Sequence, residues 1–322
     1  MMRLIFVLVA GWIAVLAANA QEAYPTRPIR IVVAYPPGGS VDLMARTVAL
    51  KLQEALGQPV SVENRPGGNA VIGALFVAKA APDGYTLLVI DRGGLTINPS
   101  LYKSPPYDSL KDFAYIGVSA ELHYVLAVNA SFSAKSFKEF VQLAKSKPGS
   151  LNYGSFGTGS ITHMNFEQMN SFLGIQMTHV PFKGATETSL GVIGGDIAMM
   201  MSSFAGVSGF LGDGRMRALA VSGPKRLTQL PDVPTVSEAG GGSNTMVPTY
   251  FTFVAPAGTP RAVISKLNAE IGRVQLIPEV AERLAKAGLE PRTTTPEAFI
   301  EEVKRDIERF GTLVKKVGVP TQ

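Results

Sequence analysis

Residues 29–56 place a short apolar run, a turn and an amphipathic segment in succession, and this order restricts the folds open to the chain. The run 29–35 (Ile-Arg-Ile-Val-Val-Ala-Tyr) is rich in β-branched residues and predicts a buried strand. The turn 36–40 (Pro-Pro-Gly-Gly-Ser) suits neither a strand nor a helix interior. Apolar residues at helical spacing then predict a helix with Ser40 as N-cap and Asp42 in its first turn. The segment is therefore typical of an α/β protein.

A strand that leads through a glycine turn into a helix leaves backbone N–H groups pointing at open space. Two glycines allow a guest to approach that backbone closely, so the corner at residues 36–40 is a candidate anion site. The alternative is an ordinary strand–helix connection that binds nothing, because bare glycine turns are weak motifs.

The first twenty residues predict export. A charged residue, Arg3, is followed by an apolar run, and residues 18–20 (Ala-Asn-Ala) form a small-x-small cleavage pattern. We expect a signal peptide at 1–20, cleavage after Ala20 and a mature chain in the periplasm. An uncleaved N-terminal anchor is the alternative, but the apolar core is short for a membrane span.

Composition excludes several classes of function. The chain has no cysteine, its net charge of +5 comes from mixed charges without blocks, and nothing indicates a nucleic-acid partner. His123, His163 and His179 lack metal-ligand spacing, so we expect no metal and no cofactor. Motifs typical of hydrolases, such as Gly-x-Ser-x-Gly and His-Glu-x-x-His, do not occur.

Strand and helix signals alternate along the whole chain, with glycine turns between them. The pattern predicts two similar lobes, each a mainly parallel sheet flanked by helices. We place the first lobe at 21–122 plus 248–322 and the second at 123–247. Ligands bind at the carboxyl ends of parallel strands, and a ligand between two hinged lobes would close them.

Several motifs together resemble one family, and the resemblance covers essentially the whole mature chain. They lie at 24–29 (Tyr-Pro-Thr-Arg-Pro-Ile), 37–42 (Pro-Gly-Gly-Ser-Val-Asp), 63–67 (Glu-Asn-Arg-Pro-Gly), 82–88, 151–160, 179–184 and 255–260. The sequence is similar to the Bug proteins (Bordetella uptake gene products), the extracytoplasmic solute receptors of tripartite tricarboxylate transporters.

The resemblance implies a type II, Venus-flytrap periplasmic binding protein, monomeric and not an enzyme. It would close on a di- or tricarboxylate or an aromatic carboxylate and deliver it to the membrane subunits of a transporter. A sensor subunit of the same fold and an exported hydrolase are the alternatives. In the family, a carboxylate docks against backbone N–H groups and hydroxyls at the start of one helix in each lobe.

Carried onto this sequence, the resemblance implies two turns and their neighbours as the binding site. The first turn is Pro37, Gly38, Gly39 and Ser40; the second is Ser155, Gly157, Thr158, Gly159 and Ser160, followed by His163. The further candidates are Tyr35, Asp42, Asn69, Ala70, Arg92, Gly93, Ser202 and Ser203.

Three of these predictions have specific alternatives. Arg92 offers a planar fork for a second carboxylate, or else pairs with Asp91 or lies in a solvated loop. His163 is a donor to a ligand carboxylate, or else has a surface or capping role. Met199–Met201, just before Ser202, form an adaptable apolar wall, or else a buried strand.

Overall fold

The computed structural model describes residues 24–243 and 245–319, so the predicted signal peptide and its cleavage site lie outside the described residues. The strands are β1 (Ile29–Val33), β2 (Val60–Asn64), β3 (Thr86–Asp91), β4 (Phe113–Leu122), β5 (Val125–Asn129), β6 (Leu151–Ser155), β7 (Met177–Pro181), β8 (Met199–Ser202), β9 (Met216–Val221), β10 (Thr249–Pro256) and β11 (Leu289–Pro291). The helices are α1 (Ser40–Leu56), α2 (Val71–Ala78), α3 (Arg92–Thr96), α4 (Asn98–Leu101), α5 (Phe137–Ser146), α6 (Ile161–Leu173), α7 (Ala185–Gly194), α8 (Phe204–Gly212), α9 (Arg261–Gln275), α10 (Pro278–Lys286) and α11 (Pro296–Val317).

Two sheets flanked by helices form two lobes. The first sheet has the order β11-β4-β10-β3-β1-β2 and the second the order β7-β6-β8-β5-β9. The α/β class and the two lobes are thus as predicted. Both sheets are mixed, but most of their strands run in one direction, in agreement with the predicted mainly parallel sheets; β10 and β11 in the first sheet and β5 in the second run the opposite way. β4 and β10 pair antiparallel because β4 carries the chain out of the first sheet and β10 brings it back.

Apolar side chains alternate between the two faces of each sheet, as the strand period requires. In β1, Ile31 and Val33 pack with α1, whereas Val32 packs with α2 and the first half of α11. In the second sheet, Met200 packs with α7 and α8, whereas Met199 and Met201 face the side of α5 and α6. The three methionines are fully buried, so this segment is a buried strand rather than an apolar wall.

The predicted N-cap at Ser40 differs from the structure. Helix α1 begins at Ser40 itself, with Gly39 as an N-cap that gives no side-chain hydrogen bond. Helices α5 and α11 do have side-chain caps, since the hydroxyls of Ser136 and Thr295 each accept the N–H of the residue three positions later. The hydroxyl of Thr259, just before α9, instead donates to the carbonyl of Pro256 (2.7 Å). The start of α1 is therefore left without a side-chain partner.

Each sheet contains a point at which the chain connections leave in opposite directions. In the first sheet β1 leads to β2 on one side, while its neighbour β3 leads to β4 on the other. In the second sheet β6 leads to β7, while its neighbour β8 leads to β9 across β5. Such switch points open a crevice at the carboxyl ends of the strands. The candidate binding residues lie at or after the carboxyl ends of β1, β3, β6 and β8, and after that of β2.

Candidate ligand-binding site

The carboxylate of Asp42 shapes the turn after β1. It accepts hydrogen bonds from the N–H of Gly38 (3.0 Å), from Nδ2 of Asn64 (2.8 Å) and from Nε of Arg46 (3.0 Å). Burial raises the pKa of this carboxyl, but the bonds from Arg46, Gly38 and Asn64 outweigh burial and lower it. With three donors already bound, Asp42 is placed to hold the turn rather than to accept from a guest.

The start of α1 leaves backbone donors free. Its first N–H groups, at Ser40 and Val41, have no partner inside the helix, and Gly39 supplies no side-chain cap. Pro37, Gly38 and Gly39 are exposed and Ser40 is half-buried, so the turn is accessible to solvent. A helix of 17 residues brings a full macrodipole to this end. The arrangement therefore favours an anion.

Tyr35 and Asp91 tie the ends of β1 and β3 together at the switch point. The hydroxyl of Tyr35 donates to Oδ1 of Asp91 (2.6 Å), and the same oxygen accepts the N–H of Gly94 (2.8 Å). Burial, followed by the charge of Asp91, raises the pKa of Tyr35 well above its usual value. Burial also raises the pKa of Asp91. The pair sets the relative position of the two strand ends.

Asn69 and Ala70, after β2, both have a left-handed backbone (φ 53° and 76°), which is unusual for residues other than glycine. The side-chain amide of Asn69 donates to Oδ1 of Asn98 (2.9 Å) and approaches the carbonyl of Gly159 in the other lobe (3.5 Å). Ala70 is buried. Asn69 is thus a direct link between the lobes.

The turn after β6 is held by its own side chains. The hydroxyl of Ser155 accepts the N–H of Gly157 (3.1 Å) and lies 2.6 Å from Nε2 of His179. Ser160 caps α6, because its hydroxyl accepts the N–H of His163 (3.3 Å). The N–H groups of Ile161 and Thr162 have no partner inside the helix. Half-buried Thr158 lies at the apex of this turn.

His163, in the first turn of α6, holds the turn after β6 through a hydrogen bond to its backbone. Its Nδ1 accepts the N–H of Gly159 (3.0 Å), which places the ring hydrogen on Nε2, and its ring stacks on His179 with centroids 3.8 Å apart. Burial lowers the pKa of His163 to about 3 and that of His179 to about 4. Both rings are therefore neutral near pH 7. His163 is buried, which excludes a surface position, and its bond to Gly159 holds the turn before α6. A contact between its Nε2–H and a ligand carboxylate stays a prediction.

Arg92 does not take the position that a carboxylate fork requires. It is buried, and its guanidinium pairs with Glu302 (2.9 Å) and Asp306 (3.4 Å) of α11 and covers the ring of Tyr250. Arg92 therefore follows neither alternative, because its ion-pair partners are Glu302 and Asp306 rather than Asp91 and it does not lie in a solvated loop. Local sequence could not show this, because the two acidic partners lie more than 200 positions later. The guanidinium of Arg92 is thus already paired with carboxylates of the protein itself.

The end of β8 presents two serines with different surroundings. The hydroxyl of Ser203 accepts the N–H of Gly206 (3.2 Å) and caps α8. The hydroxyl of Ser202 is buried and has no hydrogen-bond partner among the described residues. Parallel pairing of β8 with β6 brings this strand end to the same edge as the turn after β6.

The lobes touch where these turns meet. A Cβ added to Gly93, at the start of α3, would lie 3.3 Å from Cβ and 3.5 Å from the backbone N of Ile161. A Cβ added to Gly159 would overlap the side chain of Leu101 in α4. The start of α6 therefore lies against the ends of β2 and β3. Tyr35 and Asp91 connect this contact to the turn at 36–40.

Sequence reasoning missed the residues that hold the site from outside the motifs. His179 lies beside Tyr153 because β7 runs parallel to β6, and Asn98 reaches Asn69 from α4. Parallel pairing of the strands that became β6 and β7 would have predicted His179 next to the turn after β6. Nothing local indicated Leu101 or Asn98, because the packing of the two lobes positions them.

Within residues 24–243 and 245–319, no three His, Cys, Asp or Glu side chains are grouped so that they could bind a metal ion. None of the helices in these ranges is both long and apolar enough to cross a membrane.

Comparison with known proteins places the chain in a family. Residues 44–319 match the model of the tripartite tricarboxylate transporter family receptor. The chain belongs to this family. It is 34% identical to the protein BugT of Bordetella pertussis, over 98% of this chain and 95% of BugT. The resemblance to the Bug proteins drawn from the sequence motifs is therefore confirmed.

Solved structures of periplasmic binding proteins share the fold of this receptor. The periplasmic binding protein BugD is 30% identical, with a TM-score of 0.81 over 93% of this chain and all of BugD. Protein Rpa4515 of R. palustris with adipate is 30% identical, with a TM-score of 0.84 over 92% of this chain and 99% of that protein. MatC of Rhodopseudomonas palustris with bound malate is 29% identical, with a TM-score of 0.79 over 90% of this chain and all of MatC. The two-lobed binding-protein fold is thus confirmed.

The histidine pair predicts an acid-sensitive stability. The folded pKa values of about 3 and 4 lie below the unfolded value of 6.5. The contribution of the two histidines to the free energy of unfolding is therefore fully present above pH 6.5 and is lost as the pH falls toward 4. Each histidine contributes about 1.4 kcal/mol per pH unit in this window. In His163→Gln, the side-chain amide oxygen replaces Nδ1 as the acceptor and does not titrate. We therefore expect the slope of the free energy of unfolding against pH to fall by about that amount between pH 6 and 4. Urea unfolding at pH 7, 6, 5 and 4 measures it; parallel curves for both proteins would contradict this assignment.

Proposed function

We propose that this receptor is exported, with cleavage after Ala20, and captures a small organic carboxylate between its lobes. It then delivers the acid to the membrane subunits of a tripartite tricarboxylate transporter. The observation that carries the proposal is the pair of helix starts at the two switch points. The amides of Ser40 and Val41 in one lobe, and of Ile161 and Thr162 in the other, lack partners inside their helices.

The chemistry of these donors favours a carboxylate. Each helix start combines free N–H groups with the positive end of a macrodipole, and an anion held by both gains from two dipoles at once. The turn 36–40 and the turn 155–160 are the direct contacts in this proposal. Tyr35, Asp42 and His163 act through the backbone that they hold. Rpa4515 with adipate and MatC with malate support this class of ligand by analogy.

The proposed lobes are 21–122 plus 248–322 and 123–247, with hinges at the two crossings between them. β4 ends at Leu122 and β5 begins at Val125, while β9 ends at Val221 and β10 begins at Thr249. Both crossings thus lie in short or irregular segments, which are suited to absorb a hinge rotation. A ligand that binds both helix starts stabilises the closed arrangement, in which Asn69 approaches Gly159.

A thermal-shift screen with di- and tricarboxylates and aromatic acids tests the proposal. Because a ligand that binds only the folded state stabilises it by mass action, a true ligand at 100 times its Kd should add about 2.7 kcal/mol. The hits are then incubated with the protein and assayed for conversion. Stabilisation without product supports a receptor. Product formation would contradict it and favour an exported hydrolase, and the absence of any stabilising acid would remove carboxylates as the ligand class.

Gly159 tests whether lobe closure is part of binding. In Gly159→Ala, the new Cβ would overlap Leu101 of the other lobe, and φ is +79°. We expect at least tenfold weaker binding of the best acid in calorimetry. Gly149→Ala is the matched control, because φ is +73° there and no atom lies within 4 Å of the added Cβ. Equal affinities for the two variants would contradict closure at this contact.

A further inference from the structure

His123 lies where the chain crosses from the first lobe to the second, between the end of β4 and the start of β5. The segment after β9, where the return crossing begins, runs beside it. The N–H of Tyr124 donates to Oγ of Ser222 (2.6 Å), and the N–H of Ser222 donates to the carbonyl of Tyr124 (2.8 Å). A Cβ added to Gly223 would overlap the ring of His123. The imidazole is therefore packed against both segments about which the lobes would rotate.

Contacts between the two lobes lie next to this ring. Oε2 of Glu290, in β11 of the first lobe, is 3.8 Å from Nε2 of His123. The other carboxylate oxygen of Glu290 pairs with Nζ of Lys225 in the second lobe (3.2 Å). The side-chain amide of Gln229, also in the second lobe, donates to the carbonyl of Ala285 in the first. Because these partners belong to different lobes, a rotation of one lobe against the other would separate them and uncover His123.

The surroundings of His123 favour the neutral ring. Its side chain is 2% exposed, and Nδ1 has no hydrogen-bond partner among the described residues. A protonated ring would carry a hydrogen on Nδ1 that needs an acceptor. The charged groups nearby are Glu121 of β4, which pairs with Arg292 (3.6 Å), and the pair of Glu290 with Lys225. Burial has the largest effect and lowers the pKa of His123; Glu121 and Glu290 oppose this shift, and Lys225 adds to it.

We propose that His123 is a proton-sensitive hinge residue, which in acid takes up a proton, leaves its buried position and shifts the lobes toward an open arrangement that releases the ligand. The inference rests on the proposed function for the ligand and for lobe closure. A histidine exposed to water has a pKa near 6.5, so a ring that is buried in the closed arrangement and exposed in the open one binds protons preferentially in the open one. The closed arrangement is therefore favoured above pH 6.5 and loses stability relative to the open one as the pH falls below that value.

Small-angle X-ray scattering between pH 7.5 and 5.5 tests the hinge without any ligand. The radius of gyration of the wild-type protein should rise as the pH falls, because the lobes separate. That of His123→Gln should stay constant, since the amide does not titrate.

Calorimetry over the same pH range tests the effect on binding, with malate and adipate, the acids present in MatC and Rpa4515, as ligands. The affinity of the wild-type protein should fall about tenfold more than that of His123→Gln, because pH 5.5 lies one unit below the pKa of an exposed histidine. Protonation of the acids themselves affects both proteins alike, so the difference between them isolates His123.

Gly223→Ala is a second variant that keeps the test decisive if His123→Gln folds poorly. Its Cβ would overlap the imidazole, so the lobes should open already at pH 7.5. Gly195→Ala is the matched control, because φ is +84° there, against +100° at Gly223, and no atom lies within 4 Å of the added Cβ.

Three results would overturn the hinge alone: a wild-type radius of gyration that does not change with pH, an equal rise in His123→Gln, or a Gly223→Ala protein as compact as its control. If neither acid binds the wild-type protein at pH 7.5, the proposed function fails for these acids, while the scattering still decides on the hinge.

Discussion

The proposed binding site depends on backbone N–H groups that a helix cannot satisfy by itself. The first turn of every α-helix leaves such donors, and most proteins cap them with side chains or expose them to water. Here the starts of α1 and α6 lie at the two switch points, and the lobes bring the second of them against the ends of β2 and β3. Because both ends carry positive dipoles, an anion between them opposes their mutual repulsion and favours closure.

The surrounding side chains hold these turns without occupying the N–H donors that the proposed carboxylate would bind. Asp42 accepts the N–H of Gly38, two residues before α1, and His163 accepts that of Gly159, two residues before α6. These two bonds hold the turns, while the N–H groups of Ser40 and Ile161 stay without a partner inside their helices. Neutral histidine suits this role, because a charged ring would lose its acceptor at Nδ1. Rigid turns of this kind reduce the ordering cost of binding.

Much of this architecture could be predicted from local sequence, because apolar periodicity and glycine turns specify strands, helices and their order. The strand predicted within 29–35, the turn at 36–40 and the helix after it appear as β1 (Ile29–Val33), a turn and α1 (Ser40–Leu56). The direction of strands such as β4 and β10 could not be read this way, since it depends on how the chain crosses between lobes. Arg92 shows the same limit for the site. Its residue type suited a carboxylate, yet Glu302 and Asp306 lie far along the chain and meet it only in the folded protein.

The account rests on one ligand carboxylate bound by amides from both lobes, and a crystal structure of the protein with its tightest-binding acid tests this most directly. We predict a carboxylate within hydrogen-bond distance, directly or through one water, of an N–H at Ser40 or Val41 and of one at Ile161 or Thr162. An acid bound to one lobe alone, or held by side chains while these four amides face bulk solvent, would contradict it.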